Sequence, residues 1–478
     1  MRTLVWYRGK DLRVSDHAPL HQAARDGEAI PVFVVDPYFF APERAQRLPH
    51  RIEFLLESLR SLEQNLAQRG SRLLVVAGKS VDVIPALADA LRVDRVFAHR
   101  WVEPFARERD RRVKAALGDR FTLFEGETLV TPGTVRTGGG SPFSVFTPFA
   151  RAVRRELGAS APLAAPRALP PLPPLPKGLA LVPVPSLESL GIASNPRILR
   201  GGEKSARARL KAFLAGPAAR YDADRDRMDK DGTSRLSADL KFGTLSIKAV
   251  WHAAIEAKAS GALPADAVDK LTSELLWREF SHHTLWDRPE LLERPFRADF
   301  EGFPYVDDER GWTAWATGQT GYPVVDAAQR QLLGEGYVHN RARMITASFL
   351  TKHLLVSYRR GEAHFMQWLT DGDWAQNDAG WQWSAGSGCD AQPYFRVFNP
   401  VSQGERFDPS GDYVRAWVPE LARLPAEHIH APWLAPPLVL REAGVRLGET
   451  YPAPIVDHAF ARARFLETAK AHLAKSKA

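Results

Sequence analysis

Between Asp371 and Trp383 the chain reads Asp-Gly-Asp-Trp-Ala-Gln-Asn-Asp-Ala-Gly-Trp-Gln-Trp, crowding acids, carboxamides and indoles where an ordinary core segment would use Leu, Val and Ala. Acids and amides are costly to bury unpaired, so the cluster points to a polar ligand set among aromatic rings. Indoles beside hydrogen-bonding groups suit a flat, redox-active heterocycle or an extruded base. An acid-x-acid run also fits a calcium loop, which needs Gly at its sixth place and Glu at its twelfth. Counting from Asp371, those places hold Gln376 and Gln382, so no metal site is expected.

Three further segments carry chemistry. Gly232-Thr233-Ser234-Arg235-Leu236-Ser237 sets hydroxyls and a guanidinium around an expected helix start, which suits a phosphate or pyrophosphate; an ordinary N-cap is the alternative. In Glu274-Leu275-Leu276-Trp277-Arg278-Glu279-Phe280, helical spacing puts Glu274, Trp277 and Arg278 on one face, fitted to a flat ligand or to a surface ion pair. His339-Asn340-Arg341-Ala342-Arg343-Met344 opens another helical run. Asn340, Arg343 and Met344 share a face there, while Arg341 points elsewhere, toward a phosphate or solvent.

The elements that must position these residues differ along the chain. Its 478 residues suffice for two or more domains. Leu4–Tyr7, Ile30–Val35, Leu73–Ala77 and Arg95–Ala98 read as buried strands, with helical patterns at Arg51–Arg69 and Val81–Leu91 between them. That alternation predicts a parallel, doubly wound sheet, without the Gly-x-Gly-x-x-Gly fingerprint of a dinucleotide fold. Pro162–Pro185 is dense in Pro, Ala and Leu and reads as an ordered or semi-rigid connector. Beyond about residue 200, helical patterns dominate, including Leu271–Leu285, Ala327–Gly334 and Arg341–Tyr358. The expected division is an α/β domain over 1–130, a connector over 131–200 and a larger all-α domain over 201–478.

Composition narrows the partners. A formal charge of +8 favours a polyanion, and thirteen Trp residues favour stacking. The single cysteine, Cys389, excludes an internal disulfide and reads as a small core residue. No apolar stretch is long enough to span a bilayer, so a cytoplasmic location is expected.

Taken together and in order, these segments resemble the photolyase/cryptochrome family, closest to its class I cyclobutane pyrimidine dimer photolyases. Thr320-Gly321-Tyr322-Pro323-Val324-Val325-Asp326-Ala327-Ala328, Phe395-Arg396-Val397-Phe398-Asn399-Pro400 and Tyr451-Pro452-Ala453-Pro454-Ile455-Val456 extend the likeness over nearly the whole chain. The resemblance implies FAD in the helical domain. Tyr221, Thr233, Ser234, Arg235, Leu236 and Ser237 would hold its phosphates and neighbouring groups. Arg278, Arg343, Asp371, Gly372 and Asp373 would surround the flavin and ribityl chain, with an Arg343–Asp371 ion pair, and Asn377 would face the flavin N5.

It also implies light-dependent repair of a cyclobutane pyrimidine dimer flipped out of DNA, with photoexcited FADH⁻ lending the electron that splits the ring. Trp277 and Trp383 would cradle the dimer, with Glu274, Asn340 and Met344 contacting its bases. Arg225, Arg341, Arg396 and Gln403 would meet the DNA backbone. The expected partner is double- or single-stranded DNA containing such dimers, bound by a monomer. A blue-light photoreceptor with little repair is the alternative. A basic single-strand-binding protein that only stacks bases is a third reading.

Two departures from the family pattern matter. Trp381 matches the first residue of the usual three-indole photoreduction chain, but Tyr358 and Tyr305 stand at the next two positions. Slower or rerouted photoreduction is expected, with Trp368 or Trp374 as a branch. For the antenna chromophore, Phe105-Ala106 replaces the folate-contacting pair and Trp101 stands where deazaflavin binders place a small acid. A deazaflavin is favoured over a folate, or no antenna at all.

Overall fold

Short apolar runs near the N-terminus form five strands: β1 (Arg2–Tyr7), β2 (Glu28–Val35), β3 (Leu74–Ala77), β4 (Arg95–His99) and β5 (Phe121–Phe124). All pair in parallel in the order β3-β2-β1-β4-β5, with Leu4 opposite both Ile30 and Val96. The computed structural model describes residues 1–158, 160–391 and 393–475. Alternate residues of β1 enter different cores, because successive strand side chains point to opposite faces. Val5 and Tyr7 pack with Leu20, Ile52, Leu59 and Leu66. Leu4 and Trp6 pack with Ile84, Leu87, Val113 and Leu117. Helices Ala18–Asp26 and Pro49–Ala67 thus cover one face, and Ser80–Ala90 and Pro104–Leu117 the other. This is the expected doubly wound sheet, with β5 as a strand the sequence reading missed.

Contacts divide the chain into two units: 1–219 with 234–289, and 220–233 with 290–478. This grouping and the sequence-based boundary near residue 200 cut the chain differently, since 234–289 joins the N-terminal residues. The segment read as connector also contains a helix, Phe146–Glu156. Its proline-rich part, 162–185, has no helix or strand but is ordered: Leu169 N–H donates to Arg69 O (2.8 Å) and Val182 N–H to Val75 O (2.9 Å). Leu172, Leu175 and Leu179 of that part pack against the second sheet core.

The first unit also holds the helix Ala265–Asp287, which ends before Pro289, where an α conformation at Arg288 is disfavoured. In the second unit, helices Pro323–Glu335, Asn340–Ser348, Tyr358–Trp368 and Trp374–Ala385 share a core with Trp315, Val325, Leu332, Phe349 and Leu350. The expected continuous helix over Arg341–Tyr358 does not form. It stops at Ser348, widens into a π-turn over Phe349–His353, and is broken where Leu355 adopts φ +55°. Ser357 then caps the next helix by accepting from Arg359 N–H. Cys389, expected in a core, is only half-buried.

Candidate functional site

The acid-rich segment sits at the start of helix Trp374–Ala385. Asp373 caps it by accepting from Gln376 N–H at 3.2 Å, a contact worth about 1 kcal/mol that also sets a carboxylate at the positive helix end. Asp371 is buried. Its Oδ2 accepts from Arg343 Nη2 at 2.8 Å, and Arg343 Nε donates to Val338 O at 2.7 Å, which fixes the guanidinium. Asp371 Oδ1 is buried with no hydrogen-bond partner among the described residues. Such an oxygen costs free energy unless a donor reaches it. The Thr233 hydroxyl lies 3.4 Å from Tyr337 Oη, and the Arg343 guanidinium lies 5.7 Å from the Tyr337 ring. Thr233, Arg343 and Asp371 therefore belong to one polar chain through Tyr337.

One turn into the helix, Asn377 is buried and its Nδ2 donates to Glu362 O at 3.1 Å. Beneath it lies a pair of acids that the sequence reading overlooked. Glu362 and Asp378 share Arg359 at 3.0 and 3.2 Å, and Gln382 donates to Asp378 at 3.0 Å. Burial pushes both carboxyls up, which favours their neutral forms. Trp381 follows on the buried face, and Gly361 is required beside it because a Cβ there would meet the indole at 2.2 Å. Trp383 is half-buried.

On helix Asn340–Ser348, His339 caps by accepting from Arg341 N–H, Asn340 is exposed and Met344 is half-buried, with Asn340 Nδ2 3.9 Å from Met344 Sδ. Arg341, read as pointing toward a phosphate or solvent, is instead paired with Asp226 at 3.0 Å and lies 4.3 Å from the Phe407 ring. Arg225 is half-buried beside Asp226, Gln403 is half-buried and Arg396 is exposed. Tyr221 is buried. Tyr305 and Tyr358 lie 6.4 Å apart, and burial raises both phenols.

In the first unit, helix Ser237–Phe242 begins without a side-chain cap, so the N-cap alternative for Thr233 and Ser234 fails. Ser234 Oγ accepts weakly from Leu236 N–H at 3.4 Å, Leu236 is buried, and Arg235 sits at φ +49°, an uncommon conformation for a side chain of this size. On helix Ala265–Asp287, Arg278 is buried and donates through Nη1 to Glu127 O at 2.7 Å, while its Nε has no partner among the described residues. Its neighbour Glu279 accepts from Leu129 N–H at 2.9 Å, and burial pushes its carboxyl up to about 7. Glu274 and Trp277 are half-buried. Phe146 stacks on Trp277 with centroids 3.7 Å apart and planes 6° apart, which fixes the indole and covers one of its faces. The Phe143, Phe146, Phe149 spacing was the available signal for this contact.

Elsewhere in that unit, Trp101 is buried with Arg8, Lys10 and Arg109 within 5.5 Å of its ring. Asp11, His17 and His99 converge at ligand-like spacing. His17 Nδ1, however, accepts from Leu20 N–H, so the neutral ring carries its proton on Nε2, 3.7 Å from Asp11. Burial holds His17 near 3, which keeps it neutral, while His99 Nδ1 lies within hydrogen-bond distance of Asp11 Oδ2 at 3.3 Å, and the trio reads as a buried polar node. Among the described residues no helix is long and apolar enough to cross a membrane.

Residues 3–171 match the family model for DNA photolyase, and residues 271–471 match that for the FAD binding domain of DNA photolyase. A deoxyribodipyrimidine photo-lyase of Agrobacterium fabrum is 40% identical over 97% of this chain and 96% of its own. The crystal structure of a bacterial class III photolyase from Agrobacterium tumefaciens superposes with a TM-score of 0.91 at 39% identity, covering 99% of this chain and 98% of the other. A Synechocystis cryptochrome superposes with a TM-score of 0.89 at 30% identity, covering 98% of this chain and 99% of the other. With full-length likeness in both sequence and fold, the chain belongs to the photolyase/cryptochrome family.

Proposed function

We propose that this protein binds FAD and repairs cyclobutane pyrimidine dimers in DNA under blue light. The observation that carries the reading is the buried Asp371 carboxylate, held by Arg343 through one oxygen and, among the described residues, without a partner at the other. That arrangement fits a ligand rich in hydroxyl and imide donors. Thr233 and Arg343 offer further polar contacts, and Ser234, Arg235, Ser237 and the Nε of Arg278, unpartnered among the described residues, suit phosphate and flavin acceptors. When bound, a reduced flavin supplies a light-driven electron.

The chain's own residues do the rest. Asn377 presents an amide that serves as donor or acceptor by rotating, and so accommodates either protonation state of a ring nitrogen. Trp277, stiffened by Phe146, and Trp383 each offer an indole face to an extruded pyrimidine dimer, and Glu274, Asn340 and Met344 offer polar and thioether groups to its bases. Arg225, Arg396 and Gln403 position the duplex, and Arg341 joins them where DNA competes with Asp226. Trp277, Asn340 and Met344 carry the class I assignment, with class III as the competing class because the Agrobacterium tumefaciens relative is a class III photolyase. Burial of Trp101 beneath three cations supports a first domain without a deazaflavin at that position.

The test is the visible spectrum of the purified protein, followed by illumination with an irradiated oligonucleotide. Flavin absorption with loss of dimers is expected; a colourless protein sinks the reading. Likeness to the Synechocystis cryptochrome favours a second reading, a photoreceptor, which flavin without repair would select.

A further inference from the structure

We infer that Lys352 is a positioning residue for DNA binding: from the π-turn it reaches the backbone of the exposed segment that carries Arg396 and keeps that guanidinium set for a phosphate. The inference rests on the reading above, in which Arg396 meets the DNA backbone. Every residue involved lies in the second unit.

Lys352 is an unusual core residue. Phe349–His353 is a single widened turn whose five residues are all buried, Lys352 fully. Widened turns are rare and recur at functional sites. Lysine is almost never fully buried unless paired. Here Nζ donates to Arg396 O at 3.0 Å, and no carboxylate pairs with it among the described residues. The Phe465 ring lies 5.7 Å away, and the Arg396 charge adds to burial in lowering the ammonium to about 7. A buried ammonium that faces a carbonyl alone costs stability that an apolar side chain of similar length would not. The core it occupies therefore does not explain this lysine, whereas the segment it holds does.

That segment is tied at both ends. At its entry, Ser387 and Gly388 N–H donate to Gln382 O at 3.0 and 3.1 Å, and Ser387 O accepts from Arg297 N–H at 2.9 Å. At its exit, Asn399 caps helix Pro400–Phe407 by accepting from Val401 N–H. Between them, Arg396 N–H closes a turn on Pro393 O at 3.0 Å, and Tyr394 and Val397 rest against the core of Phe300, Phe303 and Phe465. Lys352 adds a polar tie at Arg396 itself, whose side chain is in solvent. The base from which it reaches is rigid: Arg464 donates to His353 O, and His353 Nε2 lies 2.8 Å from His458 Nδ1. An arginine whose backbone is already fixed loses less freedom when it meets a phosphate.

Fluorescence anisotropy of the flavin-loaded full chain with a dimer-containing oligonucleotide, at several salt concentrations, tests this with Lys352→Met, Arg396→Ala and the double variant. Lys352→Met is expected to weaken binding and to lower the salt slope by up to about 0.9, the share of one phosphate contact. In the Arg396→Ala background the same substitution is expected to change neither. Tryptic cleavage after Arg396, read by mass spectrometry, is expected to be faster in Lys352→Met. Flavin content and melting temperature are reported for each protein. Unchanged binding in Lys352→Met overturns the inference, as does an equal loss with and without Arg396, which a merely structural role would give; both leave the repair reading intact. Arg396→Ala that binds like the unaltered protein also overturns it. An unaltered protein that does not bind the oligonucleotide overturns both. If Lys352→Met does not fold, Lys352→Gln, polar and one bond shorter, takes its place in the cycle, and the same outcomes decide.

Discussion

Replacing Gly361 by Ala tests how tightly Trp381 is held. The added Cβ would lie 2.2 Å from Trp381 Cη2, 2.4 Å from its Cζ3 and 2.6 Å from Leu350 Cδ2. Carbon atoms prefer about 3.5–4.0 Å, so either the indole or the helix must move by more than an ångström. Overpacking of this kind costs about 1–3 kcal/mol, against about 1 kcal/mol gained by Ala over Gly inside a helix. The obstruction is a rigid, buried ring rather than a flexible tip, so the upper end applies and a net loss of about 1–2 kcal/mol is expected. In a Trp381→Phe background the smaller ring no longer reaches the new methyl group. There only the Leu350 contact at 2.6 Å remains, so Gly361→Ala should cost less than in the unaltered protein, giving a coupling energy of about 1 kcal/mol. Urea unfolding of the four proteins, followed by circular dichroism, measures the cycle. A higher midpoint for Gly361→Ala alone, or an equal cost in both backgrounds, refutes the packing argument.

Other outcomes follow from the same structure. Asp371→Asn leaves Arg343 without its carboxylate and should weaken flavin binding by about 1.5–3 kcal/mol, measured by titrating flavin-free protein with FAD. Burial lowers the Lys352 ammonium to about 7, so between that pH and about 10.5 the unfolded chain binds more protons and stability rises with pH. Lys352→Met should remove that slope, with a gain below pH 7 of at most about 5 kcal/mol less the lost bond to Arg396 O; melting curves across pH check it. Arg396→Ala should lower the salt slope of damaged-DNA binding by about one phosphate contact, read by fluorescence anisotropy at several salt concentrations.

The sheet was readable because buried parallel strands are continuous apolar runs bounded by turns. Phe121–Phe124 escaped because it is four residues long and mostly half-buried, so neither length nor hydrophobicity marked it. The interruption near Leu355 escaped for a different reason. Helical periodicity runs through it, and no Gly or Pro marks a backbone that tertiary packing forces to positive φ. At the site, the Arg343–Asp371 pair was anticipated from motif positions and is formed. Phe146 and the Glu362–Asp378 pair were not, since each matters through a side chain distant in sequence or a turn away on a neighbouring helix.

The proline-rich segment guards against a hazard of open sheets. β3 is an outer strand, and its outward Val75 carbonyl is already taken by Val182. The covering chain is rich in residues that lack an N–H, so it cannot itself recruit a further strand. Self-association through that rim is thereby blunted, and loosening 162–185 should make the protein prone to aggregate before it unfolds.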